Sequence, residues 1–501
     1  MNLPLLTLFL ATALATNVAK VQDQYDRTLA ARLLPMLSEA IRFPTYENNA
    51  EAHAAQKAWL VKTGSDLGFT VRDAGKITEI ELPASSPNAP VLGLVVHGDV
   101  QPVNADDWSL PPFSGKYDEQ YVYGRGSADD KGPLVQALLA MKALADSGVP
   151  RTHTVRLLVG STEESDSKEM GEYLKDQKAP DYSLVLDSTF PVVVGEKAWN
   201  SLSVSTKLTE RGTNPFQYTV DSMWAGLSAS IVPDHAEVTL RWRGTGVNWQ
   251  PIEDELHTFK MPEGTRVATL PEGATYRIVV YGHSTHAGMN LEAGRNALVA
   301  LGILLNGKLP PGGANDLLTF ARTAGQDLYG TGLGIRDRDP VWGRYAVNVA
   351  TIKEDETEKG TFTLTINIRS IPPRTGPQRK AYFEKFVADF NRKTGAALTT
   401  GGYWDDEPLG FSPNAKMVKR LLDDYAAATG KREKPSISGG GTYAKRLPNA
   451  IAFGMWFPDK PYPGHDLDEK NPIADLVKGE KVLIYALTDI ATGPPMKDAL
   501  R

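Results

Sequence analysis

Cysteine is absent from the 501-residue chain. Its absence excludes a disulfide framework and removes thiolates as metal ligands. Any metal must then be held by His, Asp and Glu, donors that suit zinc, manganese or cobalt. An excess of positive charge is also absent: 54 Lys and Arg stand against 60 Asp and Glu, a net charge of −6. A nucleic-acid partner would usually need a basic face, so this balance argues against that class. No internal segment has the length and apolarity of a membrane span. The remaining composition, 41% hydrophobic and 23% charged, is that of a soluble globular protein. At this length a single core stops growing, so two domains are expected.

The N-terminus is the one long apolar stretch. Residues 3–15 are apolar, and Ala13-Leu14-Ala15 is a small-x-small pattern ahead of Thr16. It reads as a secretory leader over residues 1–15, cleaved near Ala15, which would place the mature chain in the periplasm or outside the cell, with no stable membrane insertion afterwards. The run has no Lys or Arg before it. The alternative is an N-terminal helix packed on a cytoplasmic protein.

His97-Gly98-Asp99 follows directly on the apolar run of residues 91–96. A strand there would end in an imidazole, with a carboxylate two residues on and on the same side. A carboxylate in that place can hold the second ring nitrogen of a metal-binding His. The pattern of strand followed by ligand recurs. Residues 121–123 lead to Asp129, residues 154–159 to Glu163-Glu164, residues 183–186 to Asp187, and residues 450–453 and their loop to His465. In an open α/β sheet ligands collect at the carboxyl ends of strands, so His97, Asp129, Glu164, Asp187 and His465 are all expected at that edge.

Elsewhere the periodicity predicts amphipathic helices over residues 26–41, 51–67, 133–147 and 415–429. Residues 200–400 alternate as strands, with helices near 251–260, 295–305 and 379–394. The expected fold is α/β: a split catalytic domain (16–199 and 401–501) with a largely parallel sheet, and an inserted α+β lid domain (200–400) that binds substrate.

Five ligands are more economically shared by two metals than by one. His97, Asp187 and Asp129 would hold the first, and Glu164, His465 and Asp129 the second. A bridging carboxylate sets two cations about 3.5 Å apart, a spacing suited to activating one water against a polarised carbonyl. Of two adjacent glutamates, one can bind metal while its neighbour acts as a base toward that water. Gly124, Gly126 and Gly132 allow a tight turn around Asp129.

His97-x-Asp99, Gly124-Arg125-Gly126-x-x-Asp129-Asp130-Lys131-Gly132, Glu163-Glu164, Asp187 and His465 together resemble the ligand set of the di-zinc amidohydrolase and peptidase family. That family includes carboxypeptidase G, aminoacylase, acetylornithine deacetylase, succinyl-diaminopimelate desuccinylase, carnosinase and dipeptidase V. The segments Asp187–Lys197 and Ser438–Ala444, and the run from Ala452 to His465, resemble its dipeptidase V branch. The resemblance implies two zinc ions per chain (manganese or cobalt as substitutes), with Asp99 orienting His97 and a cis peptide between Asp129 and Asp130. It further implies that Glu163 is the base, that His286 reaches a tetrahedral oxyanion, and that Arg369 and the backbone of Gly439, Gly440 and Gly441 bind a substrate carboxylate. The implied activity is hydrolysis of dipeptides with a free carboxylate by a self-capping monomer. The alternatives are an N-acyl amino-acid deacylase or desuccinylase, or an inactive binding protein. Ser230 departs from the family's Asn, which puts the contacts to the oxyanion in question. His53, His153, His235, His257 and His283 are read as surface or local structural residues.

Overall fold

A computed structural model describes residues 3–501, with side chains from Thr12 onward. The apolar runs form a six-stranded sheet in a first compact unit, made of Met1–Glu196, Leu409–Gly464 and Asp468–Arg501. Its strand order is Thr70–Ala74, Ile77–Leu82, Thr154–Gly160, Val91–His97, Tyr182–Val185, Ala450–Ala452. The last four run parallel, and the first two add an antiparallel hairpin at one edge. Val91–His97 is continuously apolar because it is central and covered on both faces. Leu92, Leu94 and Val96 pack with Leu134, Leu138 and Leu487 from helices Lys131–Asp146 and Ile473–Thr492. Val95 points the other way, into a cluster with Leu158, Met170, Tyr173 and Tyr443, as the period of two requires.

The helix expected over residues 26–41 is interrupted. One helix ends at Thr28, Ala30–Arg32 forms a 3₁₀ turn, and a second helix spans Leu33–Ile41. Pro35 is the physical reason, since it lacks an N–H and its ring would clash with the carbonyl four residues back in a continuous helix. Leu29, Leu33, Leu37 and Ile41 are nonetheless all buried. Of the leader expected over residues 1–15, Met1, Asn2 and the side chains up to residue 11 lie outside the described residues; the backbone helix is Leu3–Thr28. Among the described residues no helix is long and apolar enough to cross a membrane.

The second unit comprises Lys197–Pro408 and His465–Leu467. It is built on an eight-stranded antiparallel sheet in the order Arg266–Glu272, Thr275–Tyr281, His235–Trp242, Tyr218–Ala225, Ala346–Glu354, Thr361–Ser370, Ala198–Lys207, Thr399–Asp406. Ala198–Lys207 alternates buried and partly exposed positions for most of its length, the signature of a sheet covered on one face. Leu202, Val204, Ile366 and Ile368 pack there with Leu298, Leu301, Phe320 and Phe383. Those aromatic and aliphatic partners come from helices Ala297–Leu304, Gly313–Ala324 and Gly376–Thr394. The Gly313–Ala324 helix has no counterpart in the sequence reading; it begins immediately after the breakers Pro310, Pro311 and Gly312. The protein is thus of mixed α/β class with an α+β insertion, as expected.

Candidate metal centre

Three neighbouring parallel strands deliver the first group of side chains. His97 closes Val91–His97 and lies in register with Gly160, beyond which the chain turns through Glu163 and Glu164. On the other side, Val185 is paired with Val95, and Asp187 follows two residues later. Asp129 arrives differently, which corrects the expectation of one common sheet edge. Its strand, Tyr121–Tyr123, pairs with Lys470–Pro472, with a further bridge from Val122 to Tyr117, and lies outside the central sheet. His465, by contrast, comes as expected from the loop that follows the central sheet's edge strand Ala450–Ala452, a connection that includes the two-residue strand Met455–Trp456 paired with Ser188–Thr189. Gly124 and Gly126 hold positive φ of 138° and 88° in the turn before Asp129. A Cβ at Gly124 would come within 2.7 Å of Ile41 and 2.8 Å of the Pro112 carbonyl oxygen.

His97, Asp129 and Asp187 each offer a ligand atom within 4.8 Å of the others, and Asp129 and Glu164 satisfy the same limit. His97 Nε2 lies 3.1 Å from Asp129 Oδ1 and 3.8 Å from Asp187 Oδ2. Its Nδ1 lies 3.0 Å from the Asp99 backbone carbonyl and 3.5 Å from that residue's Oδ1. The Asp99 carboxylate also accepts from the backbone N–H of Glu163 at 3.2 Å and of Glu164 at 2.9 Å. Asp99 therefore ties the His97 strand end to the glutamate turn. The Asp129–Asp130 peptide is cis, and Asp130 Oδ2 accepts the His97 backbone N–H at 3.1 Å.

Electrostatically the group holds too much negative charge for its burial. Desolvation pushes the Asp187 carboxyl well up, and Asp129 and Asp130 add to it against the opposing pull of His97. Desolvation, then Asp187, does the same to Glu163, again with His97 opposed. Burial disfavours a charged His97 imidazole, but Asp129, Asp99, Asp187 and Asp130 outweigh it and hold the His97 pKa well above its ordinary value. Lys131 offers little compensation, because burial lowers its pKa to about 7. Asp130 Oδ1 is buried without a hydrogen-bond partner among the described residues. A cluster of carboxylates with a neighbouring imidazole and no thiolate is a donor set that divalent cations fit.

The two glutamates differ in their surroundings. Glu164 Oε2 accepts from Gln101 Nε2 at 3.0 Å, and Gln101 itself is buried. No hydrogen bond is recorded to the Glu163 carboxylate among the described residues.

The second unit carries the other expected residues. His286 Nδ1 accepts from the backbone N–H groups of Gly288 and Met289 at 2.8 and 2.9 Å, which places the ring proton on Nε2. The His286 ring stacks on His465 with centroids 4.4 Å apart, and His465 Nδ1 is 3.3 Å from the Ser230 carbonyl. Arg369 is buried, with Nε donating to Asn367 Oδ1 at 2.9 Å and Nη2 to Ser230 Oγ at 3.4 Å. Ser230 Oγ also accepts from Trp199 Nε1 at 3.2 Å. The serine that replaces the expected Asn is thus held between an indole and a guanidinium. Of the expected glycine turn, the Gly440 N–H is already taken by Ser438 Oγ at 2.9 Å. His153 is fully buried, between Thr152 and the Tyr182 hydroxyl.

Sequence reasoning missed Glu469. It is buried, accepts from Ala128 N–H at 2.9 Å and Asp129 N–H at 3.3 Å, and pairs with Arg125 at 2.7 Å. Nothing in Asp468-Glu469 announces this, because its partners lie some 340 positions earlier. Gly464 passes beside the same aspartate, since a Cβ there would come within 2.8 Å of Asp129 Oδ2.

Known proteins resemble this chain over most of its length. YtjP of Bacillus subtilis (strain 168) is 29% identical over 434 residues, covering 86% of this chain and 89% of its own. The beta-Ala-Xaa dipeptidase of Lactobacillus delbrueckii subsp. lactis is 28% identical over 399 residues, covering 79% and 80%. Human carnosine dipeptidase 1 shares the fold, with a TM-score of 0.60 at 13% identity over 95% of this chain and 98% of that one. The family model described as peptidase family M20/M25/M40 matches residues 93–489. That match bears out the resemblance read from the ordered motifs: the chain belongs to peptidase family M20/M25/M40, a family of metal-dependent hydrolases.

Proposed function

We propose that this protein is a dipeptidase that uses two divalent metal ions, zinc by preference, and cleaves dipeptides bearing a free carboxylate. The observation that carries the reading is the convergence of His97, Asp129 and Asp187, with Glu164 within reach of Asp129 and Glu163 beside them. His97, Asp129 and Asp187 would hold one ion; Asp129, Glu164 and His465 would hold the other. When bound, such ions polarise a scissile carbonyl and acidify the attacking water.

Everything else falls to the chain's own groups. The Glu163 carboxylate takes the proton of the attacking water and returns it to the leaving amine. Burial, the largest influence on the Glu163 carboxyl, raises its pKa, which suits a base that must also serve as an acid. His286 Nε2–H, fixed by the two bonds to Nδ1, donates to the developing oxyanion. Arg369, held by Asn367 and Ser230, pairs with the substrate carboxylate. The name of the Lactobacillus relative supports a dipeptide substrate. The insertion of residues 200–400 would act as the substrate-binding lid of a monomer, and residues 1–15 as a leader for export.

A panel of dipeptides, with N-acetyl and N-succinyl amino acids alongside, tests the reading on metal-reconstituted protein. Dipeptides should be preferred, with about two metal ions per chain at full activity. Preference for the acylated compounds would replace the dipeptidase reading by a deacylase. Arg369→Ala should raise KM for free-acid dipeptides about tenfold to hundredfold, on the order of a charged hydrogen bond. A C-terminally amidated dipeptide should be a poor substrate of the unaltered enzyme and respond little to this substitution. Equal losses on both would show that Arg369 does not read the carboxylate.

A further inference from the structure

Glu169, on helix Lys168–Asp176, is buried and receives three hydrogen-bond donors. Its Oε1 accepts the Thr162 backbone N–H at 2.9 Å, its Oε2 accepts the Thr162 hydroxyl, and the Tyr443 hydroxyl donates to Oε1. Thr162 immediately precedes Glu163. Tyr443 is 1% exposed, and its ring end covers Gly160 so closely that a Cβ there would overlap the hydroxyl. One residue earlier, Thr442 donates its backbone N–H to Glu196 Oε2 at 3.0 Å and its hydroxyl to Glu196 Oε1 at 2.7 Å. All these residues belong to the first unit.

The turn from Gly160 to Glu164 is therefore gripped by carboxylates from both sides, with Gln101 donating to the Glu164 carbonyl at 3.0 Å, Ser167 to the Glu163 carbonyl at 2.9 Å and Ser161 to the Lys76 carbonyl at 2.8 Å as further ties. Asp99 grips the N–H groups of Glu163 and Glu164 from one end; Glu169 grips Thr162 from the other. A carboxylate with one donor can swing between neighbours, but one with three, two of them from a single residue, fixes that residue's position. The third donor anchors the arrangement to the segment that begins with Gly439, Gly440 and Gly441, whose own place is fixed by Glu196.

We propose that Tyr443 and Glu169 are positioning residues for Glu163: they hold the base at its working distance and tie that distance to the placement of the glycine turn. This rests on Glu163 being the base. Neither residue touches substrate in this scheme, and each acts through Thr162. The expected size is set by how sharply proton transfer depends on placement, since a shift of about 1 Å can cost about a hundredfold in rate.

Tyr443→Phe removes a single hydroxyl and keeps the ring that packs over Gly160. It should lower kcat about ten- to hundredfold, with KM within about twofold and metal content unchanged. Glu169→Ala should do the same or more. Glu169→Gln should recover most of the loss, because Oε1 still accepts from Thr162 N–H and Tyr443 while the amide donates to the Thr162 hydroxyl. In the Glu163→Gln background, Tyr443→Phe should cost less than about twofold further, because residues acting through one group are not additive. If Glu163→Gln alone loses activity but Tyr443→Phe keeps kcat within about twofold, the positioning role is overturned and the base stands. If Glu163→Gln keeps its activity, the base assignment fails, and this proposal falls with it. Full multiplicative loss in the double variant would show that Tyr443 acts independently of Glu163 and would also overturn the proposal.

Discussion

Replacing Glu163 by Gln should lower kcat by roughly two to four orders of magnitude, the range of general-base contributions, while metal content stays at its full value. The substitution keeps shape and hydrogen-bonding reach but cannot accept a proton. The turn itself should survive, since Asp99 holds the backbone of Glu163 and Glu164 rather than either side chain. The two glutamates can be told apart by their neighbours. Gln101 donates to the Glu164 carboxylate, an outer contact of the kind that orients a metal ligand, while among the described residues no donor reaches the Glu163 carboxylate. Elemental analysis beside steady-state kinetics checks both halves of the expectation. Loss of metal with retention of proton chemistry would mean that the two roles are exchanged.

Removing Glu469 should be the most damaging change to stability. Its side chain and that of Arg125 are 0% and 3% exposed. Burial pushes the Glu469 carboxyl up even though Arg125 pulls against it, with Asp129 adding to the rise, so the pair is an expensive one to desolvate. Glu469→Ala would leave a buried guanidinium without its partner and free the N–H groups of Ala128 and Asp129. The cost should be about 3–5 kcal/mol, the usual result of removing one member of a buried ion pair. Denaturant unfolding of metal-free protein would read this as a lower midpoint, and metal affinity should fall as Asp129 loosens. Exchanging both partners for apolar residues, Arg125→Met with Glu469→Leu, should recover part of the stability but not the metal affinity. A midpoint unchanged by Glu469→Ala would rule out a stabilising pair.

The parts legible in the sequence were those with short-range physics. A short aliphatic run ending in His-x-Asp marks a buried strand and its terminal side chains from local sequence, and Val91–His97 forms accordingly, paired in parallel on both sides. Asp129 was legible as a candidate ligand but not in its placement, because whether Tyr121–Tyr123 joins the central sheet depends on Lys470–Pro472, far along the chain. Glu469, Glu169 and Tyr443 were illegible for the same reason. A buried Glu looks like a surface Glu until its donors are known, and those donors come from other segments. The break near Ala30–Arg32 was within reach, since Pro35 stands in plain view inside the predicted helix.

The chain leaves the first unit at Glu196 and does not return until Leu409. The edge strand Ala450–Ala452 and the helix Ile473–Thr492, with its rows of core residues, lie beyond that return. On the ribosome, the strands through Tyr182–Val185 must therefore wait with one flank unpaired and a core face uncovered while the insertion is synthesised. At about 5–20 residues per second the insertion alone takes roughly 10–40 s. Over that interval Lys197–Pro408, a contiguous segment with its own core, can fold first. The half-built first unit, with Leu134, Leu138 and Leu94 still uncovered by the last helix, is then the species most in need of a chaperone.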